Sequence, residues 1–184
     1  MNKPPTFITG NQNKADYLSR YLGFAIDYRK IDLDEIQSAS LEDIIQHKVK
    51  QAFEITRQPV IVDDISMGLV SLNGLPGPFI KFFVESPDGL RNICRMADGL
   101  DSRSARAMCA IGYYDGQNLQ IFKSTLDGDI AMEPAGKTGY GWDAVFCPKG
   151  YGGRTRAELN EQEYEDVYRL IRPLEALKEF LTSL

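Results

Sequence analysis

Residues 41–64, "LEDIIQHKVKQAFEITRQPVIVDD", constrain the fold more than any other stretch. Leu41, Ile44, Ile45, Val49, Ala52 and Phe53 recur at helical spacing. Ser40 stands where an N-cap belongs and Asp43 falls in the first turn, so the spacing predicts an amphipathic helix over about 41–56. "PVIVDD" follows at once and reads as a short buried strand ending in two carboxylates. A helix with one apolar face handing over to a buried strand points to an α/β fold.

The rest of the chain continues the alternation. A strand is expected near 5–9, a helix over about 12–22 stopped by Gly23, and a strand near 25–32. "SPDGLRNICRMADG" reads as a helix with Ser86 as cap, Pro87 at the first position and Gly99 past the end. "ARAMCAIGYY" and "LQIFKSTLDGDIA" read as two strands joined at "DGQN" in a hairpin. From about Glu161 to Leu184 the chain is helical in pattern, with Val167, Ile171, Leu174 and Leu181 on one stripe and Pro173 forcing a kink or restart. No linker or low-complexity stretch divides it. The expectation is one domain over residues 1–184, α/β with a central hairpin insertion and two lobes.

Composition then narrows the chemistry. With 43% hydrophobic residues among 184, the chain can form a substantial core. A net charge of −5 argues against a surface that tracks nucleic-acid backbone, though a small polyanion can still be held locally. Cys94, Cys109 and Cys147 are odd in number and far apart, with no C-x-x-C, so neither a disulfide framework nor a zinc knuckle is indicated and a reducing cytosol fits. "MNKPPTFITG" lacks an apolar signal core, and no run approaches the roughly 18 apolar residues of a membrane span. The expectation is a cytoplasmic protein with no nucleic-acid or membrane partner. His47 is the only histidine, which leaves a Ser-His-Asp triad little support, so chemistry must rest on carboxylates, lysines and hydroxyls.

Four segments carry candidate groups. In "FITGNQNKADYL", Thr9, Gly10 and Asn11 precede a helix start and Lys14 follows; unsatisfied backbone N–H groups there suit a phosphate, although many helices begin with Asn caps for structural reasons alone. Asp63 and Asp64 fall at the expected C-terminal end of a buried strand, where open α/β sheets bind ligands, and invite a hard cation; an Asp turn is the structural alternative. Successive strand side chains point to opposite faces, so only one of the two faces the site squarely. Glu35, in "IDLDEIQ", can supply another oxygen. In "NGLPGPFIKFF" a rigid turn and an aromatic run would anchor a short helix against the core and aim Lys81, which reads either as a snorkelling surface lysine or as a phosphate contact. In "TGYGWDAVFCPKGYGGRTRAEL", Tyr140 and Trp142 lie among glycines; such aromatics stack on a base or pin the loop to the core.

Together the blocks "TGNQNK", "VDD", "GLPGPFIKFF", "GYGWD" and "AEL" resemble, in order and over most of the chain, the inosine triphosphate pyrophosphatase family, in wording closer to its eukaryotic than its bacterial members. The resemblance implies a curved mixed sheet flanked by helices, two lobes with a central cleft, a homodimer, Mg²⁺ dependence, and cleavage of deaminated purine nucleoside triphosphates to a monophosphate and pyrophosphate. Carried over by residue, it implies that Thr9, Asn11, Lys14, Lys48 and Lys81 hold the phosphates. Glu35 and Asp64 would bind the metal, with Asp64 also the catalytic carboxylate. Tyr140 would stack on the base, with Gly141, Trp142 and Asp143 completing that loop. Phosphoryl chemistry needs positioning and charge neutralisation more than a covalent nucleophile, which agrees with this inventory.

The sequence also departs from the family. Ile65 stands where the family has Ser or Thr, with Ser66 one place later. The family's base-reading Lys and Ser-His-Arg are replaced in "NEQEYEDVYRLIR", where Tyr164 takes the lysine position and only Arg169 is a plausible match. The expectation is hydrolysis of ITP or XTP with altered base preference and weaker discrimination against GTP. The alternatives are a pyrophosphatase for another base, of dTTP or UTP type, and a catalytically silent nucleotide sensor.

Overall fold

The computed structural model describes residues 4–184. Seven strands form one open mixed sheet: β1 (Thr6–Ile8), β2 (Tyr28–Arg29), β3 (Val60–Leu69), β4 (Pro76–Gly77), β5 (Ser104–Tyr114), β6 (Leu119–Ile130) and β7 (Phe146–Pro148). The strand order is β2-β1-β3-β5-β6-β7, with β4 pairing off β3. β1 runs parallel to both β2 and β3, whereas β4 on β3 and β7 on β6 are antiparallel. Six helices flank it: α1 (Gln12–Leu22), α2 (Leu41–Thr56), α3 (Ile80–Glu85), α4 (Gly89–Asp98), α5 (Glu161–Ile171) and α6 (Leu174–Ser183). The mixed α/β architecture agrees with the alternation read from sequence.

The chain divides into two compact units. One comprises the chain up to Asp64, Cys109–Lys123 and Arg172–Leu184; the other comprises Ile65–Met108 and Ser124–Ile171. In the first unit, Asn11 caps α1 by accepting from the Lys14 N–H, and Gly23, at φ 84°, closes it in the left-handed conformation that glycine adopts without a Cβ penalty. α2 runs over the residues its periodicity predicts, with Ser40 accepting from the Asp43 N–H. It buries Ile45 and Val49 completely, each contributing about 1.5–3 kcal/mol by removal from water. They pack where β5 carries Gly112; a Cβ there would stand 2.5 Å from the Ile45 side chain, so the glycine sets how closely helix and strand approach. α6 packs on α1, where the Tyr21 hydroxyl donates to Glu175 at 2.7 Å.

In the second unit, Arg103 ties α4 to the end of β6, donating from Nε to the Ile130 carbonyl at 2.7 Å and from Nη2 to the Cys94 carbonyl at 3.1 Å. Arg156–Glu158 forms a 3-10 turn closed by a reciprocal capping box between Thr155 and Glu158. All three cysteines are buried and free. Burial pushes the Cys109 thiol up to about 12 and the Cys147 thiol to about 11, so neither is a ready nucleophile.

Several sequence expectations need correction. The strand near 25–32 shrinks to Tyr28–Arg29, both exposed at the sheet edge. "PVIVDD" is not a short strand: β3 continues to Leu69, because Met67 and Gly68 gain β4 as a partner, so Asp63 and Asp64 lie mid-strand. The hairpin is no insertion, since β5 and β6 are interior strands of the main sheet. Ser86 does not cap α4; its hydroxyl donates to the Phe83 carbonyl and closes α3, while α4 begins after Asp88 in a left-handed conformation. The aromatic run of α3 does not anchor it. Only Ile80 is buried there, and Phe82 is 63% exposed. Pro173 does end one helix and start the next, as expected.

Candidate active site

Mid-strand on β3, the adjacent carboxylates take different partners. Asp63, its side chain nearly buried, receives the Lys14 ammonium at 2.9 Å and 3.2 Å. Burial alone would raise its pKa, but Lys14, Arg172 and Lys48 hold it below the ordinary carboxylate value. Asp64 receives the Lys48 ammonium at 2.8 Å, and Lys48 also donates to Glu35 at 2.6 Å. Burial works against the Lys48 charge, yet Asp64 and Glu35 together raise its pKa above the ordinary lysine value. The alternation of a strand accounts for this division: one side chain meets α1, the next meets α2.

The structure therefore brings Glu35, Lys48 and Asp64 to one point, with Lys14 and Asp63 beside them in the same unit. Lys48 is 11% exposed while Asp64 and Glu35 are 29% and 60% exposed, so the lysine lies beneath carboxylates that reach solvent. Thr9 and Asn11 are occupied locally. The Thr9 hydroxyl accepts from the Asn11 N–H at 3.1 Å and the Asn11 side chain caps α1, which orients the start of the helix that carries Lys14. Among the described residues no group of three or more His, Cys, Asp or Glu could hold a metal by itself. Two oxygen donors converging where a cationic group is already accommodated do suit Mg²⁺, which is ordinarily held by one or two carboxylates with substrate phosphates completing its shell.

In the second unit the "GYGWD" loop is organised from below. Trp142 and Asp143 are buried, whereas Tyr140 is 58% exposed and presents its ring outward. Trp142 packs edge-on against Phe146, which pins the loop to the core. Asp143 accepts from Arg156 Nη1 at 2.7 Å, from the Tyr164 hydroxyl at 2.8 Å and from the Tyr140 N–H at 3.0 Å. The Arg156 guanidinium lies over the Tyr164 ring, 4.2 Å from its centre. Burial and the neighbouring Asp143 push the Tyr164 phenol up despite Arg156, so it remains a donor. Gly139, at φ 77°, is required here, because a Cβ would come within 2.4 Å of the Asp143 carboxylate. Gly141, at φ 62°, completes the turn. Arg169 pairs with Glu165 on its own helix, and Lys81 stands on the exposed side of α3.

A profile of the Ham1 family matches residues 6–180. The chain belongs to the Ham1 family. This Ham1-family chain is 37% identical over 193 residues to the inosine triphosphate pyrophosphatase of Scheffersomyces stipitis, covering 97% of each. It is 37% identical to the protein of the same name from Schizosaccharomyces pombe, covering 96% of this chain and 94% of that one. Among solved structures, a HAM1 protein from Coxiella burnetii superposes with a TM-score of 0.86 at 26% identity over the whole of both chains. The dITP/XTP pyrophosphatase of Mycobacterium abscessus shares the fold, at a TM-score of 0.80 and 24% identity, covering 95% of this chain and 98% of that one.

Sequence reasoning did not foresee two groups that the structure places at these clusters: Arg172 sits just past α5, and Arg156 lies in the 3-10 turn, whereas Asp63 was singled out with Asp64 but given no role of its own. The doublet "DD" on an alternating strand was the available signal for Asp63. For Arg156 there was none, since an arginine in a polar turn ordinarily faces solvent.

Proposed function

We propose that this chain is a nucleoside triphosphate pyrophosphatase that hydrolyses inosine and xanthosine (deoxy)nucleoside triphosphates to the monophosphate and pyrophosphate, cleansing the nucleotide pool. The single observation that carries this reading is the convergence of Glu35 and Asp64 on the Lys48 ammonium with Lys14 alongside, in a chain that matches named pyrophosphatases over nearly its full length. Lys14, Lys48 and the exposed Lys81 neutralise the phosphates, and Thr9 and Asn11 set the α1 N-terminus toward them. Glu35 and Asp64 would hold Mg²⁺, which would supply charge neutralisation at the leaving pyrophosphate. Asp64 orients the attacking water and accepts its proton, at a carboxylate that is partly exposed and already hydrogen-bonded. Asp63 holds Lys14 in place through their ion pair. Tyr140 stacks on the base, in a loop whose remaining members, Gly141, Trp142 and Asp143, hold its shape.

Free buried cysteines suit a reducing cytoplasm, and no helix among the described residues is long and apolar enough to cross a membrane. A homodimer is part of the same reading. The test is release of pyrophosphate and IMP from ITP with and without Mg²⁺. Equimolar products that vanish on chelation are expected; inorganic phosphate with IDP, or no turnover of any triphosphate, would exclude the reading.

A further inference from the structure

Arg156 is 1% exposed and carries five N–H donors, of which the structure uses the Nη1 side on Asp143. Nε and Nη2 are buried and have no hydrogen-bond partner among the described residues. These two nitrogens are the parallel pair on one edge of a guanidinium, the edge that makes a two-pronged contact with two adjacent acceptors. Leaving both unpaired in the interior is costly for a purely structural arginine. The remainder of the residue is fixed: one face lies over the Tyr164 ring, and Asp143 balances the charge. A neutral partner with two neighbouring acceptors therefore suits this fork better than a second anion.

The geometry points to Arg156 as the reader of the purine edge, its Nε–H and Nη2–H donating to O6 and N7 of a 6-oxopurine. This inference rests on the pyrophosphatase reading above. Arginine makes the same bidentate contact to O6 and N7 of guanine in nucleic acids, and hypoxanthine and xanthine present an identical edge. Adenine keeps N7 but places an amino donor against the fork. The Asp143 carboxylate that grips Arg156 also accepts from the N–H of Tyr140, so the exposed stacking ring and the fork are separated by one side chain. Tyr164 and Asp143 then position Arg156 rather than touch the base, their polar atoms being spent on each other. Both fork nitrogens are covered, so this contact requires a local shift that opens them to the base. The fork reads only the edge that ITP, XTP and GTP share, which leaves ATP excluded and GTP weakly discriminated at this contact.

The test uses substrate analogues with the unmodified protein: kcat/KM for ITP, 7-deaza-ITP, which lacks N7, and purine riboside triphosphate, which lacks O6. A bidentate contact corresponds to a loss of roughly 5- to 150-fold when it is removed. Arg156→Lys, which keeps a charge for Asp143 but loses the fork, should abolish the difference between ITP and 7-deaza-ITP. Turnover of ITP with neither analogue penalised would overturn the inference and leave the pyrophosphatase reading standing. A 7-deaza penalty that persists in a folded Arg156→Lys protein would also overturn it. No turnover of any triphosphate would remove both. If Arg156→Lys does not fold, the analogue series on the unmodified protein decides alone.

Discussion

In the unit that holds Lys14 and Lys48, these two lysines meet carboxylates, of which Asp64 and Glu35 reach solvent; in the other unit a buried arginine, Arg156, is clamped between Asp143 and a tyrosine ring. The contrast follows from the side chains. A lysine ammonium on a flexible stem can exchange a carboxylate for a phosphate, because its three donors have no fixed plane. A guanidinium is planar and directional, and once its plane is fixed it can recognise a pair of acceptors but not follow a moving charge. The first region suits charge that changes during a reaction, the second suits a shape that must be recognised.

The largest effect that sharpens this contrast is expected from Asp64→Asn. Removing the charge that holds the cation and accepts the proton should lower kcat by about 10³-fold. The melting temperature should move by less than about 3 °C, since Lys48 keeps its bond to Glu35. Steady-state kinetics beside calorimetry checks both halves, and near-native turnover would refute the role given to Asp64. In the other region the balance should reverse. Asp143→Ala leaves the Arg156 charge buried without its partner, which costs about 3–5 kcal/mol of unfolding free energy. Urea denaturation measures it, and an unchanged midpoint would mean that Arg156 is not held as described.

Lys81→Ala should reduce kcat/KM by about 10-fold with an unchanged melting temperature, because the residue is exposed on a short helix whose only buried side chain is Ile80. Lost stability with full activity would instead make it a packing residue. The smallest effect concerns pH. Asp63 has a folded pKa below its ordinary value of 3.8, so its contribution is present above that value and is lost as pH falls through the lower folded one. The gap in melting temperature between the unmodified protein and Asp63→Asn should narrow below about pH 4. A gap that widens in acid would contradict the depressed pKa.

Much of this was legible in the sequence where local rules act alone. α2 runs over its predicted residues because periodicity and the Ser40 cap agree, and α1 likewise lies between Asn11 and Gly23. β3 was read too short because what extends it is pairing to Pro76–Gly77, a contact invisible along the strand itself. Ser86 was misassigned because one hydroxyl can serve either the helix behind it or the one ahead, and the chain uses it behind. Lys48, Glu35 and Asp64 were individually legible as charged residues of an expected phosphate site. Their meeting at one ammonium depends on α2 packing over β3, which no local pattern encodes. Arg156 was illegible altogether, because its burial is created by Asp143 and Tyr164 from elsewhere in the chain.

The measurement closest to the central claim is product formation from ITP by the unmodified protein and by Asp64→Asn at one Mg²⁺ concentration, with IMP and pyrophosphate quantified together. The expected result is equimolar IMP and pyrophosphate from the unmodified protein and a loss of about 10³-fold in the variant, with ITP binding retained. Equal turnover by the two proteins, or products other than IMP and pyrophosphate, would contradict it.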